Sequence, residues 1–147
     1  MDADRIVVSN GKREMTLNEL ARSQPGMDRL MAEIAERARR LYYAATLGNW
    51  PAAGYFCRTL TKSLRDSAFS RPKYAEAMEE FLEVDYAPLR DAVNAADGEA
   101  FARAWDHLVE RVNHWHATFG KAYLVYKTPD SPPPDLDLSP RPAERPR

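Results

Sequence analysis

The sequence contains a single cysteine, Cys57, so no disulfide can form within the chain. It also lacks a basic excess, because 21 Lys and Arg residues stand against 22 Asp and Glu residues, giving a formal net charge of -1. Nucleic acids and anionic membranes attract basic surfaces, and we therefore expect neither as a partner. No apolar run is long enough to span a bilayer, and the first residues have none of the features of a secretory signal. These absences predict a cytoplasmic protein.

Apolar residues recur every three or four positions in four segments of the chain, which is the period of an amphipathic helix. Breaks rich in glycine, proline and capping residues separate these segments. Asn49 and Asp97 are predicted to cap the second and fourth helices, and Pro88 is predicted to kink or restart the third, which covers residues 73–96. The pattern predicts an all-α fold, an antiparallel four-helix bundle over residues 27–127.

The two ends of the chain lack this periodicity. Residues 1–26 are predicted to form a weakly structured arm, in which Thr16 and Glu19 have the spacing of a capping box for a short helix. Ala122–Tyr126, rich in β-forming residues, is expected to lie over the helices as an extended strap. Residues 128–147 contain seven prolines and few apolar side chains, and this composition predicts a Pro-rich flexible tail.

All three histidines lie in the fourth helical segment. At 100° per residue, His116 shares the apolar face with Trp105 and Val112 and is predicted to be buried. His107 and His114 fall on the opposite face and are predicted to be exposed. Because residues two apart on a helix diverge, His114 and His116 cannot chelate one ion, and no metal site is predicted.

A buried histidine needs a hydrogen-bond partner, and it serves either as a core residue or as part of a site. Aromatic side chains on the surrounding helices favour a small-molecule pocket between helices. We expect His116 to act as general acid or base, Tyr43 and Tyr55 to donate protons, and Arg58, seven residues before Arg65 on one face, to hold a carboxylate or oxyanion. The expected ligand contacts are Trp50, Trp105, Val112, Trp115 and Tyr123. The competing interpretation is that the aromatic residues are ordinary core and the arginines extend along the surface.

The segment Val112–His116 resembles the Cys-Asn-x-Cys-His haem-attachment motif of cytochrome c-like four-helix bundles of the cytochrome c-prime type. Leu47–Tyr55 is similar to the turn and second-helix start of such proteins, and Phe119–Val125 to the strap after their haem helix. The resemblance extends over roughly residues 27–134. It implies a four-helix bundle in which His116 takes the place of the axial iron ligand.

The sequence departs from this family at the two haem-linking cysteines, which are replaced by Val112 and Trp115. Neither side chain can bond a haem vinyl group, so covalent haem attachment is excluded. Trp115 is also far larger than cysteine and would fill space that a porphyrin needs. The resemblance therefore implies a protein of this type without covalent haem, and no cofactor is expected.

Three functions remain open from the sequence. The first is a cofactor-independent lyase or isomerase that uses His116 on a small, aromatic ligand. The second is a non-covalent haem protein with His116 as axial ligand. The third is a structural or interaction protein without a site. A second copy of the chain is left open as a partner, in a homodimer.

Overall fold

The computed structural model describes residue 2 and residues 4–142. Within these residues the protein is 64% helical, which confirms the prediction of a largely α-helical fold. No helix in this part of the chain has both the length and the apolar character needed to cross a membrane. The elements are β1 (Val7–Ser9), β2 (Glu14–Thr16), α1 (Leu17–Arg22), α2 (Met27–Thr46), α3 (Trp50–Ser70), a 3-10 turn (Pro72–Tyr74), α4 (Ala75–Glu80), a π-helical turn (Phe81–Asp85), α5 (Ala87–Asn94) and α6 (Gly98–Thr118).

The helices begin where the sequence signals predict. The side chain of Asn49 accepts a hydrogen bond from the amide three residues ahead at 3.2 Å, and Asp97 does the same for α6 at 2.9 Å. Thr16 and Glu19 form the predicted capping box at the start of α1. Each cap satisfies an amide that has no partner within its helix. Gly48, in the left-handed region with φ of +77°, turns the chain between α2 and α3.

The N-terminal arm has more regular structure than predicted, because β1 and β2 pair as an antiparallel hairpin. Its turn is stabilised by the Asn10 side chain, which accepts hydrogen bonds from two following amides, and by Gly11, whose φ is +82°. The β-branched Val7 and Val8 followed by Asn-Gly are the signal for this hairpin, and the prediction of a weakly structured arm overlooked it.

The third helical segment is interrupted where Pro88 predicts a restart. A proline lacks an amide hydrogen and its ring clashes with the carbonyl four residues earlier, so a regular helix cannot continue through it. The chain instead widens into the π-helical turn, in which the Tyr86 amide donates to the Phe81 carbonyl at 2.8 Å. α5 then starts afresh, with Pro88 in its first turn. Of the predicted kink or restart, the structure shows the restart.

The apolar stripes of the long helices meet in one hydrophobic core. α2 packs most extensively on α3, and α5 packs on α6, while α3 also contacts α5 and α2 contacts α6. The largest side chains that are almost completely buried are Leu41, Leu89, Tyr86, Trp105 and Ser67.

The proline-rich segment follows the helices as far as Ser139, which differs from the free tail that its composition predicts. The Tyr43 hydroxyl donates to the Pro129 carbonyl at 2.9 Å, and the Asn49 amide donates to the Leu138 carbonyl at 3.2 Å. Leu138 is itself buried in the core. Because proline has no backbone amide hydrogen, the carbonyls of this segment are not used in regular secondary structure. Those of Pro129 and Leu138 accept hydrogen bonds from side chains on the helices instead. The last part of the predicted tail, residues 143–147, lies outside the described residues.

Replacing Leu89 by alanine should lower the free energy of unfolding by about 2–5 kcal/mol, because the side chain is fully buried and leaves a cavity. Phe69→Ala is the matched control, since Phe69 is 90% exposed and its loss should change stability by no more than about 0.5 kcal/mol. Urea unfolding followed by circular dichroism measures both. Equal effects of the two substitutions would contradict this packing.

Candidate functional site

His116 lies near the end of α6, half-buried beneath the strap rather than fully buried as predicted. Its Nδ1 atom is 2.7 Å from the Leu124 carbonyl oxygen. A carbonyl only accepts, so Nδ1 is the donor, and in the neutral tautomer with this bond the lone pair lies on Nε2. The fully buried residues of α6 end at Leu108, and helical angles give the direction of a side chain but not the depth of the core beside it. The predicted exposure of His107 and His114 is confirmed.

Trp115 is tied to a buried carboxylate. Its indole Nε1 donates to Asp85 Oδ2 at 2.8 Å, while Arg111 Nε donates to Asp85 Oδ1 at 2.9 Å. Asp85 is only 3% exposed, and these two donors satisfy a charge that would otherwise be costly to bury. The indole ring also stacks near Phe119, with centroids 6.4 Å apart. The hydrogen bond of Trp115 therefore connects α6 to the π-helical turn. Val112, one turn before His116, packs against the core.

The other aromatic candidates are held by core and tail contacts. Trp105 is 1% exposed, and its Nε1 donates to the Thr128 hydroxyl at 3.0 Å. Trp50 packs edge-on against Phe101, with centroids 6.5 Å apart. The hydroxyl of Tyr43 is engaged by the tail, as described above. These residues stabilise the helix ends and the tail.

Tyr55 and Tyr123 are largely exposed, at 55% and 75%. Within the described residues, no hydrogen bond joins any two of the catalytic candidates His116, Tyr43, Tyr55 and Arg58. The structure thus leaves the four side chains as separate features, and of all the candidates from the sequence only Arg58 lines the groove described next.

An open groove of about 460 Å³ lies between α3 and α5. Its α3 side is one helical face, on which lining residues recur at steps of three and four. Two residues four apart on α5 form the opposite wall. The lining residues are Gly54, Cys57, Arg58, Thr61, Lys62, Arg65 and Asp66 from α3, with Arg90 and Asn94 from α5.

The groove is strongly cationic in a chain of net charge -1, since four cations face one carboxylate. Lys62 and Asp66 form an ion pair at 2.5 Å. Arg58 and Arg65 have no carboxylate within 4.0 Å among residues 4–142, and Arg90 has only a long, exposed contact of 3.9 Å to a neighbouring aspartate. Exposed contacts of that kind contribute little. The guanidinium groups are therefore available to an external anion.

The base of the groove is neutral. Cys57 is 4% exposed, and the Tyr86 hydroxyl donates to its backbone carbonyl at 3.1 Å and lies 3.2 Å from its Sγ. Burial raises the pKa of the Cys57 thiol above its ordinary value, although Tyr86, Arg90 and Arg58 act in the opposite direction. Burial also raises the pKa of Tyr86. Both groups stay protonated near neutral pH, so neither is a general base.

Among the described residues, no three His, Cys, Asp or Glu side chains come close enough together to hold a metal ion. Comparisons with models of protein families, with curated proteins and with solved structures return no match. The resemblance to cytochrome c-like bundles therefore remains a prediction.

Arg58 and Arg65 are predicted from the sequence to share one face of α3, and the other lining residues of the groove are not predicted as a site. Lys62, four residues after Arg58, completes a cationic row at helical spacing, and this signal was readable in the sequence. The position of Arg90 opposite that row could not be predicted from the sequence, because it depends on how α5 packs against α3.

At pH 8, Cys57 should react with iodoacetamide at least about 100-fold more slowly in the folded protein than in guanidinium. The thiol is buried, so the surrounding structure must open before the reagent reaches it. Burial raises the pKa of the Cys57 thiol in the folded state above that in the unfolded state, which is near 9.0. The thiol therefore contributes to the free energy of unfolding below pH 9.0, and this contribution is lost as the pH rises through the folded-state pKa. Intact mass, which reports one adduct on the single cysteine, measures the rate. Equal rates in the two states would contradict a buried thiol.

Proposed function

We propose that this protein binds a small organic anion in the groove between α3 and α5. The observation that carries the proposal is that Arg58, Arg65 and Arg90 line one open cavity. Among residues 4–142, Arg58 and Arg65 have no carboxylate within 4.0 Å, and Arg90 has only a long, exposed contact of 3.9 Å to Asp91. Ordinary surface arginines are paired or scattered, as on α2, where they alternate with glutamates at distances down to 2.9 Å. Among the lining residues of the groove, the one carboxylate, Asp66, is already paired with Lys62, and a bound anion would offset the remaining positive charge.

The chemistry of the groove favours a carboxylate or phosphate. A guanidinium offers a planar fork of donors that matches either group in a two-pronged hydrogen-bonded pair. The neutral base, formed by Gly54, Cys57 and Thr61, would accept the uncharged body of such a molecule. Because the groove is open to solvent, each ion pair is screened, and we expect modest affinity that falls as salt increases.

We propose binding rather than catalysis. The lyase or isomerase expected from the sequence needs a base beside the ligand, and His116 is not among the residues that line the groove. The thiol of Cys57 and the phenol of Tyr86 remain protonated, for the reason given above. An aromatic ligand is also unsupported, because none of the described lining residues is aromatic.

We further infer that the long helices form an antiparallel four-helix bundle, made by α2, α3, the α4–α5 segment and α6. Four contacts support this arrangement: α2 on α3, α3 on α5, α5 on α6, and α6 on α2, which together close a ring. Short connections at Gly48 and Asp97 favour antiparallel neighbours. In such a bundle the groove is a surface channel between two adjacent helices.

Octanoate should bind saturably, while octanamide, its neutral analogue, should not. Arg58→Gln should weaken octanoate binding by about tenfold, the loss of one charge-assisted pair. Arg103→Gln is the matched control, because Arg103 is an exposed arginine on α6 whose contact to Glu99 is long, at 3.9 Å. Isothermal titration calorimetry at low salt measures both ligands against the unmodified protein and the two variants.

The proposal fails if octanamide binds as well as octanoate, or if Arg103→Gln weakens binding as much as Arg58→Gln. Nuclear magnetic resonance provides an independent check of position. Octanoate should shift the amide signals around Cys57 and Arg90, and shifts confined to the region of His116 would contradict the assigned groove.

Non-covalent haem binding is a second candidate, favoured by one observation. The Leu124 carbonyl fixes the proton of His116 on Nδ1, which leaves the Nε2 lone pair for a metal, the arrangement that second-shell carbonyls impose on metal-binding histidines. Trp115 opposes it, since its ring is committed to Asp85 and Phe119 on the neighbouring face.

Titration of the protein with haem tests this candidate directly. Binding through His116 should produce a Soret band that His116→Ala abolishes and His114→Ala, a change at an exposed neighbour, leaves intact. A spectrum that both variants share would indicate non-specific haem and would exclude His116 as the ligand.

A further inference from the structure

We infer that the natural ligand of the groove carries two anionic groups, held at opposite ends of the groove by Arg58 and Arg65. This inference rests on the proposed function and extends it from any small organic anion to an elongated dianion, such as a dicarboxylate. The inference follows from the positions of Arg58 and Arg65 along α3 and from the pairing of Lys62 with Asp66 between them.

The first end of the groove combines cations from both helices. A Cβ atom at Gly54 would lie 3.4 Å from Nη1 of Arg58, so the Arg58 guanidinium folds back over this glycine, towards the start of α3. Arg90 and Asn94 belong to the same end. The reason is that Gly98, four residues beyond Asn94, lies against Trp50 at the start of α3. Arg58 and Arg90 thus flank one position for an anionic group.

At the second end, Arg65 is the cation that has no carboxylate partner among the described residues. Its neighbour Lys62 is paired with Asp66 at 2.5 Å, and this pair carries no net charge. Asp66 therefore does not neutralise Arg65, and residues 4–142 provide Arg65 with no carboxylate within 4.0 Å. One unpaired guanidinium remains at this end, and it would accept a second anionic group.

The distance between the two ends sets the length of the ligand. Seven residues separate Arg58 and Arg65, a rise of roughly 10 Å along the helix. The Arg58 guanidinium leans away from Arg65, so the cations are not drawn together. Between them the base presents Cys57 and Thr61, which are uncharged at neutral pH and suit a methylene chain. A ligand with a single anionic group would leave one end without a partner.

Dicarboxylates of different lengths test the distance between the two anion positions. Suberate, which can span the groove, should bind about tenfold more tightly than octanoate, which has the same number of carbons and one carboxylate, because linking two anchors raises the effective concentration of the second. Succinate, too short to reach both ends, should bind more weakly than suberate. In Arg65→Gln the ratio of suberate to octanoate affinity should fall to about one.

Calorimetry with the full chain separates the two proposals. If octanoate binds but suberate gains nothing, or if Arg65→Gln keeps the gain, the dianion inference is wrong while anion binding stands. If none of the acids binds, the proposed function itself is wrong. Arg103→Gln, which should keep the tenfold preference for suberate, controls for a general loss of positive charge, and circular dichroism confirms that each variant is folded.

Discussion

The buried phenol of Tyr86 holds together the part of the molecule on which the groove depends. Its ring is completely buried, and its hydroxyl donates to the backbone carbonyl of Cys57 at 3.1 Å. That carbonyl also accepts from Thr61, a common helix contact. A polar group inside a core must be satisfied, so the bond fixes how closely the third helical segment approaches α3. The preceding residue, Asp85, ties the same segment to α6 through Arg111 and Trp115.

Asp85 is the last residue of the π-helical turn and Tyr86 follows it. Their side chains bond to α6 and to α3, respectively. One irregularity in the backbone therefore joins three helices. Arg90, four residues after Tyr86, lines the groove.

The placement of charge explains why binding is proposed on this side of the molecule and not beside His116. On the α6 side, Asp85 accepts hydrogen bonds from Arg111 and Trp115, and the Leu124 carbonyl is bonded to Nδ1 of His116. On the α3 side the arginines lack such partners among the described residues. Satisfied groups stabilise a fold, whereas unsatisfied cations over a neutral base are free to bind a ligand.

The sequence by itself determined the helices, because periodicity, caps and Pro88 act through neighbours along the chain. It also determined the direction of His114 and His116, since helical angles are local. It could not determine that His116 would lie only half-buried, or that Arg90 would face Arg58, because both depend on how deep the core extends and on which helices adjoin. The hydrogen bonds that hold the tail at Pro129 and Leu138 could not be predicted either, because they also depend on which segments lie next to each other. Tertiary packing decided these features, since it brings together groups that are distant in sequence.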